Sequence, residues 1–301
     1  MPENDATPDP VLIVGAVTWD VVDGRRRPGG TATYAARAAT ALEVRAHVLV
    51  ATGADADLDA FAEHELAVVS VEQTMTLAHH IEDETRHQRL IARPGHRMHP
   101  RDLPTSWPRP RTIVLAPLLP DDIDVPAFLD AFAGDPDVEV ALLAQGLQRA
   151  VAPDGAIEHL DAPPAALIEA ARPTVTVCLS AEETAGWSRS DLDALVARSK
   201  RVVITYGAAG ADIRSASGPS ITRTHVPALP AEVVDTTGAG DVFATALILA
   251  MRAGEDVAGR LAAACAAACV ERSGSSPLPA RANIEARAGV TPDWTRARRD
   301  R

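Results

Sequence analysis

The stretch Asp235-Thr236-Thr237-Gly238-Ala239-Gly240-Asp241 has the clearest chemical content in this chain. Two carboxylates flank three residues with almost no side chain, and an apolar run follows. A glycine turn entering a helix exposes successive backbone N–H groups, with the positive end of the helix dipole behind them. Such a turn suits an anion, above all the charge that develops as a phosphoryl group is transferred. Asp241 would stand beside that anion. Two negative groups repel unless the carboxylate is there to take a proton. Asp241 therefore reads as a general base for an acceptor hydroxyl, with the amides of Gly238, Ala239 and Gly240 as the anion hole. The plainer reading of the same residues is an Asp capping the first turn of a helix.

Elements that could position this turn recur along the chain. Residues 10–22 form a continuous β-branched run, as in a buried parallel strand. A Gly-Gly turn then opens an Ala-rich helix over 29–42. A strand at 45–53, a helix at 55–65 and a strand at 66–72 complete a β-α-β-α-β pattern, which favours a parallel sheet. Residues 74–83 and 85–95 read as two shorter strands that leave the sheet as a hairpin or flap. Core strands resume at 111–117, 137–146, 174–180 and 201–207, with helices at 125–133, 164–171 and 190–199. A hairpin near 210–226 and helices at 238–253, 256–272 and 281–288 finish the pattern. These strands end near Gly, Pro or Ser, and ligands of open α/β sheets sit beyond such carboxyl ends.

Composition bounds the function. The chain has 301 residues, 47% of them hydrophobic and only 3% aromatic, so helix-on-sheet packing rather than aromatic clusters is expected. With 41 acidic and 29 basic residues the net charge is -12, which offers nucleic acid or anionic lipid no attraction. No apolar run approaches the ~20 residues of a membrane span. Residues 1–9 read as a disordered polar lead and 291–301 as a solvated basic tail, with 10–290 as one domain in a cytoplasmic protein. Cys178, Cys265 and Cys269 fit a reduced compartment, and the i, i+4 pair Cys265/Cys269 reads as core packing rather than metal ligation.

The string DTTGAGD, followed by Val-Phe and an Ala-rich helix, closely resembles the C-terminal signature of the PfkB/ribokinase family of sugar and nucleoside kinases. The resemblance covers nearly the whole chain. "VGAVTWD" supplies Gly15 and Asp20, and "RPGGTATYAARAA" supplies Gly29 and Gly30, as in that family's first strand and Gly-Gly helix. It implies a three-layer ribokinase-like α/β/α fold with a mainly parallel sheet and a small β lid. It also implies ATP with Mg²⁺ as donor, Asp241 as base, and Asp20, Gly29 and Gly30 against the acceptor. Thr205, Gly207, Gly210 and Gly240 would lie along the nucleotide. Asp235, with the backbone of 273–276, corresponds to the place of a monovalent cation (K⁺), and Glu183 to a magnesium-organising acid.

Two positions depart from the family pattern. Tyr34 stands where an Asn usually touches the sugar, and Ser180 replaces the Asn of an N-x-x-E motif. The segment between Asp20 and Gly29 is short, so the lid is expected mainly from 74–92. Arg86, His87, Gln88 and Arg89 lie there; Gln145 and Arg149 follow a core strand. At most one of His79 and His80 can face the site, because strand side chains alternate. Leu77, Ile81, Leu90 and Ile91 would suit a homodimer clasp if they share one exposed side. The acceptor reads as a sugar, polyol or nucleoside, with Trp19 and Tyr34 as candidate walls for a base. A non-catalytic relative that kept the fold is the other class. A dinucleotide oxidoreductase is disfavoured, since no G-x-G-x-x-G follows the first strand.

Overall fold

The computed structural model describes residues 10–82, 85–132, 134–218 and 220–294. Arg86 and Ile81 are traced there only in backbone, so their expected side-chain contacts lie outside the described set, as do the ends 1–9 and 295–301.

Fifteen strands and seven α-helices follow one another among these residues. The strands are β1 (Val11–Gly15), β2 (Thr18–Val22), β3 (Arg25–Gly29), β4 (Ala46–Thr52), β5 (Glu65–Ser70), β6 (Met75–Glu82), β7 (Thr85–Ala92), β8 (Thr112–Ala116), β9 (Glu139–Leu143), β10 (Arg149–Val151), β11 (Ala156–His159), β12 (Val175–Ser180), β13 (Arg201–Thr205), β14 (Ala211–Ser217) and β15 (Ser220–Val226). The helices are α1 (Thr31–Ala41), α2 (Val125–Phe132), α3 (Ala165–Ala170), α4 (Arg189–Arg198), α5 (Ala239–Ala250), α6 (Glu255–Val270) and α7 (Arg281–Ala288).

The main sheet has nine strands in the order β15-β14-β13-β12-β9-β8-β1-β4-β5. The seven from β13 to β5 run parallel, and the β14–β15 hairpin adds an antiparallel edge. Alternation explains why the parallel strands read as unbroken apolar runs. Val11 and Ile13 face a layer that includes α1, α5, α6 and α7. Leu12 and Val14 face α2, α3 and α4 on the other side. Both faces are covered, so both sets must be apolar. The first layer is built largely of alanines, including Ala35, Ala39, Ala246, Ala262 and Ala264, which bring helix and sheet backbones close. The fold is the expected three-layer α/β/α arrangement.

Strand order reverses at β1, which pairs with β4 on one side and β8 on the other. Sites in open α/β sheets form at such a switch point. Here it is closed by Thr31, whose hydroxyl donates to the Ala116 carbonyl at 2.6 Å and accepts from the Ala16 N–H at 3.1 Å. That bond fixes the start of α1 over the ends of β1 and β8.

Three expectations need correction. The run 10–22 is two strands in different sheets: β1 lies in the main sheet, and β2 pairs only with β3 and β6 of a second sheet. Asp20 therefore sits on the lid. Its strand folds back through Asp23 and Gly24, both with positive φ (51° and 73°), the Asp-Gly signal of a tight hairpin. Second, the lid is larger than 74–92. It has six strands, β10-β11-β7-β6-β2-β3, four of them outside that segment. Third, the expected helix at 55–65 is a 3-10 turn at Asp59–Phe61, and Glu65 already begins β5. Asp57 accepts the Asp59 N–H at 3.0 Å, a local bond that competes with helix propagation.

The lid rests on the core through Ala16, Met75, Leu77, Leu118 and Leu119, with Leu90, Val151 and Ile157 packed around them. Leu77 and Leu90 thus pack within their own chain, while Ile91 is 59% exposed, so these four residues do not form one exposed face. Leu119→Ala is expected to cost about 2–5 kcal/mol in urea unfolding, the range for a fully buried leucine. A loss under about 1 kcal/mol would mean that the lid does not pack there.

Candidate active site

The DTTGAGD turn starts α5. Gly238 is its N-cap, in the left-handed region at φ 75°, and no side chain caps the helix. The Ala239 N–H already donates to the Thr236 carbonyl at 3.3 Å, and the helix dipole stands behind the turn. Nothing lies within 4 Å of the direction a side chain at Gly240 would take. At Gly238 the reverse holds: a Cβ there would come within 2.2 Å of the Tyr34 ring. Tyr34, 3% exposed, is thus the surface on which the anion-hole turn is seated. Burial raises its phenol pKa, and the carboxylates of Asp20, Asp235 and Asp241 push the same way, so the phenol stays protonated.

Asp241 is half-buried at the first turn of α5. Burial first, then the charges of Glu183 and Asp20, lift its pKa to about 7, while Arg149 pulls the other way. A carboxylate close to neutrality exchanges protons readily at physiological pH. Glu183 is 5% exposed, and its carboxyl pKa is raised by burial. The Ser180 N–H donates to Glu183 Oε2 at 2.9 Å, and the Glu183 N–H donates to the Ser180 hydroxyl at 3.2 Å. The Ser180/Glu183 pair forms a reciprocal box at the end of β12, a job for which serine serves as well as asparagine. Gln145 and Arg149 also stabilise the Glu183 charge.

Across from α5, the lid carries a hydrogen-bonded line. The Arg149 guanidinium donates to the Leu118 carbonyl at 3.0 Å and to Gln88 Oε1 at 2.6 Å. With that oxygen accepting, the Gln88 amide N–H is left to donate to His79 Nδ1 at 3.3 Å. His79 Nε2 then faces Asp20 Oδ1 at 3.4 Å, where the Thr18 hydroxyl also donates at 2.9 Å. His79 is the histidine that turns inward, and His80 is exposed. Asp20 Oδ2 lies over Gly29, where a Cβ would come within 2.4 Å. Gly30, at φ 99°, is pressed against the Ala16 carbonyl. The Gly-Gly pair lets α1 begin directly beneath the Asp20 carboxylate.

Residues 164–281 match the model of the pfkB family of carbohydrate kinases. Over this segment the chain is similar to the pfkB family. The Arabidopsis thaliana ribokinase is 38% identical over 88 residues, a stretch that spans 28% of this chain and 23% of that protein. Solved structures resemble it over nearly its whole length. A Burkholderia thailandensis nucleoside kinase in complex with inosine gives a TM-score of 0.62 at 21% identity, covering 94% of this chain and 99% of its own. Arabidopsis thaliana ribokinase complexed with ribose and ATP gives 0.62 at 18%, covering 94% and 99%. A pyrophosphate-dependent kinase of the ribokinase family, complexed with a pyrophosphate analog and myo-inositol, gives 0.65 at 18%, covering 92% and 99%. At these identities the likeness is one of fold, and the fold is ribokinase-like.

In pfkB terms, the structure gathers Asp20, Tyr34, Glu183, Arg149 and Asp241 into one electrostatic neighbourhood. Thr205 and Gly207 end β13, with the Thr205 carbonyl accepting the Ala181 N–H at 2.8 Å. Gly207 opens onto free space, but Gly210 is needed by its own chain, since a Cβ there would lie 2.2 Å from the Val226 carbonyl. His87 and Arg89 are exposed, Arg89 pairing with Asp154 at 3.0 Å. Cys265 and Cys269 pack in the helical layer. Sequence reading missed Arg27, which pairs across the hairpin with Asp20 and comes within 4.0 Å of Asp235 Oδ2. The signal was the Asp-Gly turn, which fixes that register.

Two stability predictions follow from this geometry. Gly238→Ala is expected to lower the thermal midpoint through both φ and the clash with Tyr34, and adding Tyr34→Ala should recover part of the loss. Full additivity of the two would show that ring and turn are not in contact. The raised pKa of Asp241 means that the folded state holds a proton the unfolded chain loses near pH 4. Its contribution to stability is intact below pH 4 and fades as pH rises to about 7. Asp241→Asn should therefore raise the midpoint at pH 8, by about 2–4 °C per kcal/mol recovered, and change it little at pH 4.

Proposed function

We propose that this protein is a phosphotransferase that moves the γ-phosphate of ATP to a hydroxyl of a small sugar, polyol or nucleoside. One observation carries the reading. A carboxyl group whose pKa is pushed up to about 7 stands at the uncapped, glycine-built N-terminus of α5, with the Asp20 carboxylate of the lid close enough to add to that shift. Asp20 accepts hydrogen bonds from acceptor hydroxyls and orients one of them. Asp241 removes the proton from that hydroxyl as it attacks. The N–H groups at the start of α5 hold the transferring group, whose charge the helix dipole favours. The lid, seated on Leu118 and Leu119, excludes water from the acceptor. The family match over 164–281 and the sugar and nucleoside kinases among the fold neighbours support the same reading.

The turn at 205–210, with its open Gly207, suits the nucleotide. Magnesium, when bound with the donor, neutralises phosphate charge. Among the described residues no group of three or more acidic, histidine or cysteine side chains could hold a metal ion. Glu183 already accepts from Ser180 and Gln145, so it suits a water-mediated contact to an ion carried mainly by the donor phosphates.

The test is phosphoryl transfer from Mg-ATP, and in parallel from magnesium pyrophosphate, to a panel of sugars, polyols and nucleosides. Turnover on one acceptor class is expected. Asp241→Asn should lower kcat by about 10²–10⁴ with a small change in KM. The wild-type kcat/KM should rise with pH through an ionisation near 7 and level off above it, because the base acts only when deprotonated. No transfer to any acceptor from either donor would overturn the proposal.

A further inference from the structure

We infer that Arg27 supplies, from the lid, the positive charge at Asp235 where the family resemblance implies a monovalent cation, so that this enzyme works without one. The inference rests on the phosphotransferase reading of the site. It starts from the donor set at Asp235, which does not suit an added cation. Oδ1 accepts the Thr237 N–H at 2.9 Å, and Oδ2 accepts the Gly274 N–H at 3.0 Å. The Arg27 guanidinium approaches the same Oδ2 at 4.0 Å. A cation at Oδ2 would have to share the carboxylate with two N–H donors and sit near the Arg27 guanidinium, whose side chain is 44% exposed.

The placement of Arg27 is built in. The β2–β3 register sets it opposite Asp20, and cross-strand partners project from the same face of a sheet. The strand end is then lashed to the loop after α6. The Ser275 hydroxyl donates to the Pro28 carbonyl at 3.1 Å, and Arg37 Nε donates to the Ser275 carbonyl at 2.9 Å. These bonds join β3, α1 and the 273–276 loop around Asp235, three residues before the anion-hole turn. Arginine stays charged at every working pH, so the charge is permanent.

The experiment compares wild type, Arg27→Ala and Arg27→Lys in KCl and in tetramethylammonium chloride at equal ionic strength. It reads thermal midpoint without substrates and, separately, turnover. Wild type and Arg27→Lys are expected to behave alike in both salts. Arg27→Ala should have a lower midpoint in tetramethylammonium that KCl restores, and a turnover reduced about tenfold that KCl also restores, the scale of one charge-assisted contact. A wild type whose midpoint or turnover rises with K⁺ would overturn the inference. So would an Arg27→Ala protein that matches wild type in both salts, or one that is impaired and gains nothing from K⁺. The midpoint reading needs no catalysis, so a protein without kinase activity would still decide the role of Arg27.

Discussion

A carboxylate beside the uncapped start of a helix is the constraint on which this structure turns. Asp241 sits in a partly dry, carboxylate-rich place, where the loss of its proton is finely balanced. Desolvation and the charges of Glu183 and Asp20 oppose that loss, while Arg149 and the α5 dipole favour it. The balance falls near neutrality. Much of the surrounding architecture serves to hold those groups at their distances. Tyr34 fixes the turn through Gly238, Thr31 pins α1 across the switch point, and the Ser180–Glu183 box fixes the acid at the end of β12.

The same balance gives a physical account of the two departures from the family pattern. An asparagine at position 34 would offer hydrogen bonds to a sugar; tyrosine offers a flat apolar wall instead. Its ring occupies space that a side chain at position 238 would need, so turn and ring are matched to each other. At position 180 the loss is small, because the hydroxyl closes the reciprocal box with Glu183. Tyr34 packs against the Gly238 turn, and Ser180 keeps a local bond with Glu183.

Local patterns carried most of what sequence reading could find. The parallel strands were legible because burial on both faces demands unbroken apolar runs, and the α5 turn was legible because its chemistry is contiguous. The break between β1 and β2 was not, since apolar residues continue through Ala16 and Val17 while the chain changes sheets. The acidic run at 55–65 looked helical by spacing, yet the Asp57 side chain took the backbone bond a helix would use. The line from Arg149 through Gln88 and His79 to Asp20 depends on strand registers across four strands, which no local signal states.

That line also explains why the lid is a six-stranded sheet and not a simple flap. Arg149 stands on β10 and Asp20 on β2, and the intervening β11, β7 and β6 set the span between them. Within the site, Asp20, Glu183, Asp235 and Asp241 outnumber Arg149 and Arg27, so an anionic donor entering alone would meet net repulsion. Two features offset it: backbone N–H groups, which attract phosphate without adding a titratable charge, and a divalent ion that arrives with the donor. Under the proposed phosphotransferase reading, the four carboxylates of this neighbourhood favour a donor that brings its own positive charge.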